Sequence, residues 1–418
     1  MTYDAVIVGG GPAGSTAAKV LAERGLSVVV VEEKTFPRDK PCAGHLPPHV
    51  LRRFPYAARF IDNEIFGIVM WSPSLRYRAE WLSDEPISAV CLRRRFDHGL
   101  LRLAVEEGAR VIEGNAVGGV KVESGYAEVS LRDGTRLRGE MVIGADGVNS
   151  VVARRTGLNP GWAPERLGIC MNVEARVGDA APVEKRICLH PSYGGLPGYA
   201  WLFPKREHVN IGIGTFLTAA RRDSLRAAFV DYVGLLKREG LIPGAVKAGG
   251  WRAHLIPIRG YLRRTYTDRV MLCGDAAGFV SPFTGEGIYY AMSSGEIAAN
   301  VAVRAIEEGD ATKRALSSYR KMWMEDFGKD LRAGAWLQRL LIDKTERLVR
   351  LMSEDEEFKN MAYNLFMANI PARKYRLKAI KAAMTSWVGK KISLLKGSRP
   401  PSKPAITYPS PSALIPCP

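Results

Sequence analysis

The sequence predicts a mixed fold of the α/β class: a Rossmann-like first domain, an α+β second domain built on antiparallel sheet, and a helical C-terminal region. Three observations predict it. The chain opens with an apolar strand, a glycine turn, a helix and a second apolar strand, which is a βαβ unit. Two later stretches carry the aromatic and β-branched content of antiparallel sheet. Beyond residue 287, apolar residues recur at helical spacing.

The elements follow in order. Residues 3–8 form an apolar run that stops at Gly9, 15–24 read as a helix stopped by Gly25, and 27–31 are a second apolar run. Uninterrupted runs of this kind suit parallel strands buried on both faces. Residues 66–81 look antiparallel and 96–107 look helical. Residues 110–138 resemble short hairpin strands, with a turn at Asp133-Gly134, and 141–143 are a further short strand. Residues 167–216 again look like antiparallel sheet, interrupted at 191–198 by Gly and Pro. Helix is expected at 224–239, a buried strand at 270–273, and helices at 288–308 and 317–352. These elements group into a first domain of 1–60, 87–165 and 266–308, a second of 61–86 and 166–265, a helical region of 309–396, and a Pro/Ser-rich tail of 397–418.

The chain has 418 residues, 46% of them hydrophobic and 25% charged. That supplies a sizeable core and excludes a disordered, collagen-like or disulfide-scaffold protein. Cysteines stand at 42, 91, 170, 188, 273 and 417 with no paired spacing, which predicts reduced thiols in a cytoplasmic setting. The N-terminus lacks the order of a signal peptide, and no uncharged apolar run reaches the length of a membrane span. Net charge is +17, and from residue 358 onward there are eleven Lys/Arg and no Asp or Glu. Such a basic end points to an anionic partner. Within it, residues 371–396 place Leu377, Ile380, Met384, Trp387, Val388 and Leu395 near one helical face, with lysines mostly elsewhere. This pattern reads either as an interfacial helix drawn to an anionic membrane or as a docked helix with a solvated basic face. No nucleic-acid-binding fold accompanies the charge. His45 and His49 are four apart, but Pro47-Pro48 between them breaks the helix that would align them, so no metal site is expected.

Gly9-Gly10-Gly11-Pro12-Ala13-Gly14 supplies GxGxxG at Gly9, Gly11 and Gly14. The first glycine permits a tight turn, the second lets a pyrophosphate approach the backbone, and the third lets helix and strand pack closely. The helix start then offers its partial positive charge to phosphate. Glu32 ends the second strand, 18 residues after Gly14, and with Glu33 beside it would meet the ribose hydroxyls. This fingerprint alone does not separate FAD from NAD.

Two later segments separate them. Gly144-Ala145-Asp146-Gly147-Val148-Asn149-Ser150 follows one strand. Gly274-Asp275-Ala276-Ala277-Gly278 follows another and runs through Ser281-Pro282-Phe283-Thr284-Gly285-Glu286-Gly287 to Ile288, where a helix starts. With the N-terminal fingerprint they resemble the FAD-binding set of the para-hydroxybenzoate hydroxylase superfamily. The resemblance implies FAD as cofactor, contacted by Gly9, Gly11, Ala13, Gly14, Glu32, Glu33, Asp146, Gly274, Asp275, Gly285, Gly287 and Ile288. Asp275 would hold a ribityl hydroxyl. Arg93 matches an arginine that contacts FAD in that superfamily; the other reading is a solvated arginine in a basic run. No second GxGxxG follows a strand, so a separate NAD(P) domain is not expected.

Pro37-Arg38-Asp39-Lys40-Pro41-Cys42-Ala43-Gly44 and Pro197-Gly198-Tyr199-Ala200-Trp201-Leu202-Phe203-Pro204-Lys205 resemble the geranylgeranyl reductase family, which saturates prenyl chains using reduced FAD. The resemblance implies a reductase acting on geranylgeranyl chains of membrane lipids or their precursors, peripheral at the inner face of the cell membrane. Ferredoxin, NAD(P)H or a quinol would be the electron donor, and Cys42, Ala43 and Gly44 would lie at the flavin. Ala43 departs from the family, which carries glycine there. Tyr199 and Trp201 are two apart and share one face of a strand. With Phe203 and Pro204 they would line an apolar substrate tunnel or, on the other reading, pack the sheet onto its core. An isolated alkene has no carbonyl to accept electron density, so its reduction needs a proton source; Cys42, Tyr199 and a bound water are the candidates, with Trp201 beside them. Two alternatives stand. Tyr199 to Pro204 is also similar to the halogenase Trp-x-Trp-x-Ile-Pro segment, with Tyr for the first Trp and Phe for Ile, which would imply oxygen chemistry. A non-catalytic prenyl-lipid carrier is the other.

Overall fold

The computed structural model describes residues 2–177, 185–247, 249–369 and 371–374. Most of the predicted helix at 371–396 and all of the 397–418 tail lie outside the described residues.

β1 (Thr2–Val8), α1 (Pro12–Glu23) and β2 (Val28–Glu32) form the N-terminal βαβ unit. The two strands are parallel, with Val6 opposite Val29, and their Val and Ile side chains are buried. The helix begins at Pro12, ahead of the expected Ser15, because proline's fixed φ and missing N–H suit the first helical position. Next come β3 (His45–Leu46), α2 (Pro48–Arg53), β4 (Asn63–Ile65), the antiparallel pair β5 (Gly67–Trp71) and β6 (Arg78–Leu82), β7 (Ser88–Val90) and α3 (Arg93–Glu106).

β8 (Arg110–Glu113), β9 (Val117–Val122), β10 (Ala127–Leu131) and β11 (Arg136–Gly144) follow, and here the expectation needs correction. Only β9, β10 and the start of β11 form hairpins; β8 instead lies parallel to β2, with Val111 opposite Val30. The expected strand at 141–143 is the far half of β11. Leu137 pairs antiparallel with Val129 of β10, while Val142 pairs parallel with Val6 of β1. One long strand therefore serves both the meander and the central sheet.

After α4 (Val151–Arg155), β12 (Gly168–Arg176), β13 (Arg186–Pro191), β14 (Gly198–Pro204) and β15 (His208–Phe216) build the second large sheet. It continues past α5 (Arg222–Arg238) to β16 (Arg252–Ile256). Its order is β16-β12-β15-β14-β13-β5-β6, so β5 and β6 join it from far upstream. β17 (Tyr266–Thr267) and β18 (Val270–Leu272) return to the first sheet, whose main path is β17-β18-β11-β1-β2-β8. α6 (Ile288–Glu307) packs on α1, and a Cβ at Gly295 would lie 2.2 Å from the Ala13 carbonyl oxygen. The single helical stretch expected at 317–352 is three helices: α7 (Ser317–Trp323), α8 (Lys329–Leu341) and α9 (Thr345–Glu354). A π turn at Met324–Gly328 and a 3-10 turn at Ile342–Lys344 separate them, and α10 (Glu356–Phe366) follows. Among the described residues no helix is long and apolar enough to cross a membrane.

Candidate functional site

The glycine turn between β1 and α1 brings backbone elements close together and leaves the helix start open. Gly9 adopts φ +102°, and a Cβ on it would lie 2.4 Å from the Ala145 carbonyl oxygen. A Cβ on Gly14 would lie 1.9 Å from the Gly9 carbonyl oxygen, so only glycine permits this approach of helix to turn. At Gly11 the geometry is open: the nearest atom to a built Cβ is Arg38 Nη2, at 3.6 Å. No side chain caps α1 at Gly11, so its first turn offers amides to an anion. Glu32 is buried; its Oε2 accepts from the Gly10 amide at 2.9 Å and its Oε1 from the Lys34 amide at 3.1 Å. Glu33 is exposed just past the strand. Ala13 is buried in the first turn of α1. An uncapped helix start, an open glycine and a buried acid fit a dinucleotide diphosphate and its ribose.

Arg93 is buried, so it is not a solvated arginine. Its Nε and Nη2 donate to the two oxygens of fully buried Asp97, at 2.7 and 2.9 Å, and Arg38 Nη1 donates to Asp97 at 2.9 Å. The arginines hold the Asp97 carboxyl below the usual range against the cost of burial. Lys40 lies close by, with Nζ 2.8 Å from His254 Nε2. Burial lowers the Lys40 pKa, and the Asp275 carboxylate opposes that shift. Burial, helped by Lys40, takes His254 down to about 3, so its ring is neutral. Asp275 thus stands with titratable groups that the sequence reading left out: Arg38, Lys40, Asp97 and His254. Asp146 is used within its own loop, accepting from Ser150 Oγ at 2.6 Å and from the Val151 and Val152 amides.

The Cys42 segment is held by its third residue. Gly44 adopts φ +75°, and a Cβ there would lie 2.0 Å from the Cys91 carbonyl oxygen. Ala43 is not among the residues with positive φ, so glycine's freedom is required at 44 and the departure at 43 is accommodated. The Gly44 amide donates to Cys42 Sγ at 3.4 Å.

Tyr199 and Trp201 share one face of β14, ring centroids 5.6 Å apart. Trp201 lies across the neighbouring β15: a Cβ at Gly212, its cross-strand partner, would come within 2.2 Å of the indole. The indole N–H donates to Asn210 Oδ1 at 2.7 Å, and Asn210 Nδ2 donates to the Cys42 carbonyl at 3.2 Å and to Glu174 at 3.0 Å. Buried Lys205 also donates to Glu174, at 2.7 Å. Asn210 therefore ties the aromatic strand to the Cys42 segment. Phe203 and Pro204 are buried at the end of β14, and Phe203 packs against His45.

The loop leading to α6 meets the same face. Tyr199 donates its hydroxyl proton to the Thr284 carbonyl at 2.6 Å, and a Cβ at Gly285 would lie 3.2 Å from that hydroxyl. Burial pushes the Tyr199 pKa up, with Cys170 and Cys42 adding to the shift. Gly274 adopts φ +55°, a Cβ on Gly287 would lie 3.7 Å from Asp275, and Ile288 is buried at the start of α6. Glu286, which the sequence reading did not single out, is pushed up to about 8 by burial and lies 4.0 Å from His49. Among the described residues no cluster of His, Cys, Asp or Glu is arranged to hold a metal.

Comparison with known proteins identifies the family. Residues 2–322 match the family model described as FAD binding domain. The chain is 31% identical over 369 residues to the digeranylgeranylglycerophospholipid reductase of Methanocaldococcus jannaschii, covering 85% of this chain and 88% of that one. Among solved structures it is similar to a geranylgeranyl bacteriochlorophyll reductase-like protein from Thermoplasma acidophilum, with TM-score 0.78, 27% identity and coverage of 85% and 92%. A flavin-dependent brominase, with TM-score 0.70, 20% identity and coverage of 93% and 100%, shares the fold. The match of residues 2–322 to the FAD binding domain, together with the likeness to reductases in sequence and in fold, places this chain in the geranylgeranyl reductase family of FAD-binding flavoproteins.

Proposed function

We propose that this flavoprotein saturates carbon–carbon double bonds in geranylgeranyl chains of a membrane lipid or its precursor. The observation that carries the reading is the junction of three segments. Asn210 joins Trp201 to the Cys42 carbonyl, and Tyr199 joins the same strand to the Thr284 carbonyl. An apolar aromatic face is thereby held against the two loops that would flank the cofactor. FAD, when bound and reduced, supplies the hydride.

The protein's own residues divide the remaining work. Tyr199, Trp201 and Phe203 bind and orient the prenyl chain and exclude water, which favours charge development at the alkene, while Pro204, one residue out of that alternation, lies on the opposite face of β14 and supports the strand. Tyr199 has its proton engaged on a main-chain carbonyl and acts as a positioning group. Cys42 carries the transferable proton. The Gly44 amide that donates to its sulfur stabilises the thiolate left behind. Glu32, Asp275, Arg93 and the glycines of both loops would hold the cofactor.

Residues 1–60, 87–165 and 266–308 make up the cofactor part in this reading, and 61–86 with 166–265 the substrate part. The basic segment from residue 358 onward holds the protein at the anionic inner face of the cell membrane. A ferredoxin or nicotinamide donor renews the reduced cofactor. The test is direct: the reduced flavoprotein, given a digeranylgeranylglycerophospholipid, is expected to return lipid of higher mass with saturated chains. Unchanged lipid from active, flavin-loaded protein would remove the reading.

A further inference from the structure

Six arginines from four separate segments line one cavity of about 780 Å³. Arg166 precedes β12, Arg259 and Arg263 lie between β16 and β17, Arg320 is on α7, and Arg332 and Arg339 are on α8. The only acid lining the cavity among the described residues is Glu165. Among the described residues none of the six arginines has a carboxylate within ion-pair distance. Six like charges gathered around a single acid repel one another, and a bound anion relieves that repulsion.

The arginines are placed rather than scattered. Arg166 stacks over Trp162 at 5.1 Å and donates from Nη2 to the Gly260 and Tyr261 carbonyls, at 3.1 and 2.9 Å. Burial and the nearby Arg263 both lower its pKa. Arg259 stacks on Phe216 at 3.9 Å. Arg332 and Arg339 are seven apart on α8 and share one helical face. Gly334 and Gln338, four apart, form a different face. That second face packs on the Pro282–Phe283 loop, and Gln338 donates to the Pro282 carbonyl. Among the described residues no lysine lines the cavity. Guanidinium groups present planar forks that match phosphate oxygens two at a time.

We propose that this cavity is a binding site for a phosphate-bearing group, separate from the diphosphate site at the Gly9–Gly14 turn, with which it shares no residue. The phosphate comes either from a lipid headgroup or from a soluble phosphate ester. This assignment does not depend on the reduction chemistry, since anion binding is read without turnover.

The test uses the full chain with FAD bound, so that the cofactor's own phosphate site is filled. Inorganic pyrophosphate is titrated at low ionic strength into the wild type and into a variant carrying Arg332→Gln and Arg339→Gln. The wild type is expected to bind and to melt at higher temperature with pyrophosphate. The variant should keep its flavin and bind at least about tenfold more weakly. In a second arm both chains are sedimented with phosphatidylglycerol or phosphatidylcholine vesicles. A loss of phosphatidylglycerol binding in the variant identifies the lipid headgroup as the source, whether or not free pyrophosphate binds. A pyrophosphate difference without a vesicle difference identifies a soluble ester. Both chains carry the same basic C-terminal segment, so the difference between them reads the cavity alone. If the two chains behave alike in both arms, the site is overturned.

Discussion

The Tyr199 hydroxyl donates to the main-chain carbonyl of Thr284 over 2.6 Å, joining the aromatic strand of the second sheet to the loop that precedes α6. Such a bond fixes the ring and commits its proton. Tyr199→Phe should therefore keep its flavin and lose about 0.5–1.5 kcal/mol of stability, the usual worth of one hydrogen bond. Turnover should fall less than about tenfold. Thermal unfolding and lipid-reduction rates check this. A fall of several hundredfold at unchanged stability would instead make the phenol the proton source.

Cys42 is given that role here, and its replacement should behave differently. Cys42→Ser should bind flavin normally and lower turnover by about a hundredfold or more, the usual contribution of a positioned proton donor. Single-turnover rates measured on fully flavin-loaded protein decide the matter. Undiminished rates would transfer the role to bound water.

Gly212 should not tolerate a side chain. A Cβ there would fall 2.2 Å from the Trp201 indole, in a strand whose backbone is fixed on both sides by β12 and β14. Gly212→Ala should displace the ring, weaken its bond to Asn210 and cost about 1–3 kcal/mol, as overpacking generally does. Denaturant unfolding measures the loss. A variant as stable as the wild type would mean that the indole has room to move.

Glu286 sets a pH dependence. Its carboxyl is pushed up to about 8 by burial, from an ordinary value of 4.5. Between these values the native protein holds the proton and the unfolded chain releases it, so the group's contribution is greatest below about pH 4.5 and is lost as pH rises through 8. Glu286→Gln removes this term. The melting temperature of the wild type should fall relative to that of the variant between pH 5 and pH 8.5. Parallel curves would show that Glu286 is ionised in the native protein.

The parts of the site that were legible in the sequence are those written in local pattern. The glycine fingerprint, Glu32, and the alternation of Tyr199 and Trp201 each follow from backbone or strand geometry within a few residues. The Arg93–Asp97 bond was open to reading as well, since residues four apart share a helical face. The link from Trp201 to Asn210 needed the hairpin register through Arg206 and Glu207, which the strand pattern could have supplied. The contacts of Arg38 and Lys40 with Asp97 and His254, and the bond from Tyr199 to Thr284, join residues far apart in the chain. No local periodicity encodes them. The same holds for β8, whose hydrophobic pattern suits a hairpin edge and a parallel edge equally. The arginine cavity was invisible because its members come from four segments, each ordinary by itself.

The most direct test of the central claim is anaerobic. The bound flavin is reduced, a digeranylgeranylglycerophospholipid is added, and visible flavin absorbance is followed without oxygen. Return of the oxidised spectrum, with hydrogen-enriched lipid recovered in proportion, is the predicted result. Flavin that stays reduced in the presence of lipid and reoxidises only when air enters would contradict the assignment and favour oxygen chemistry on the same fold.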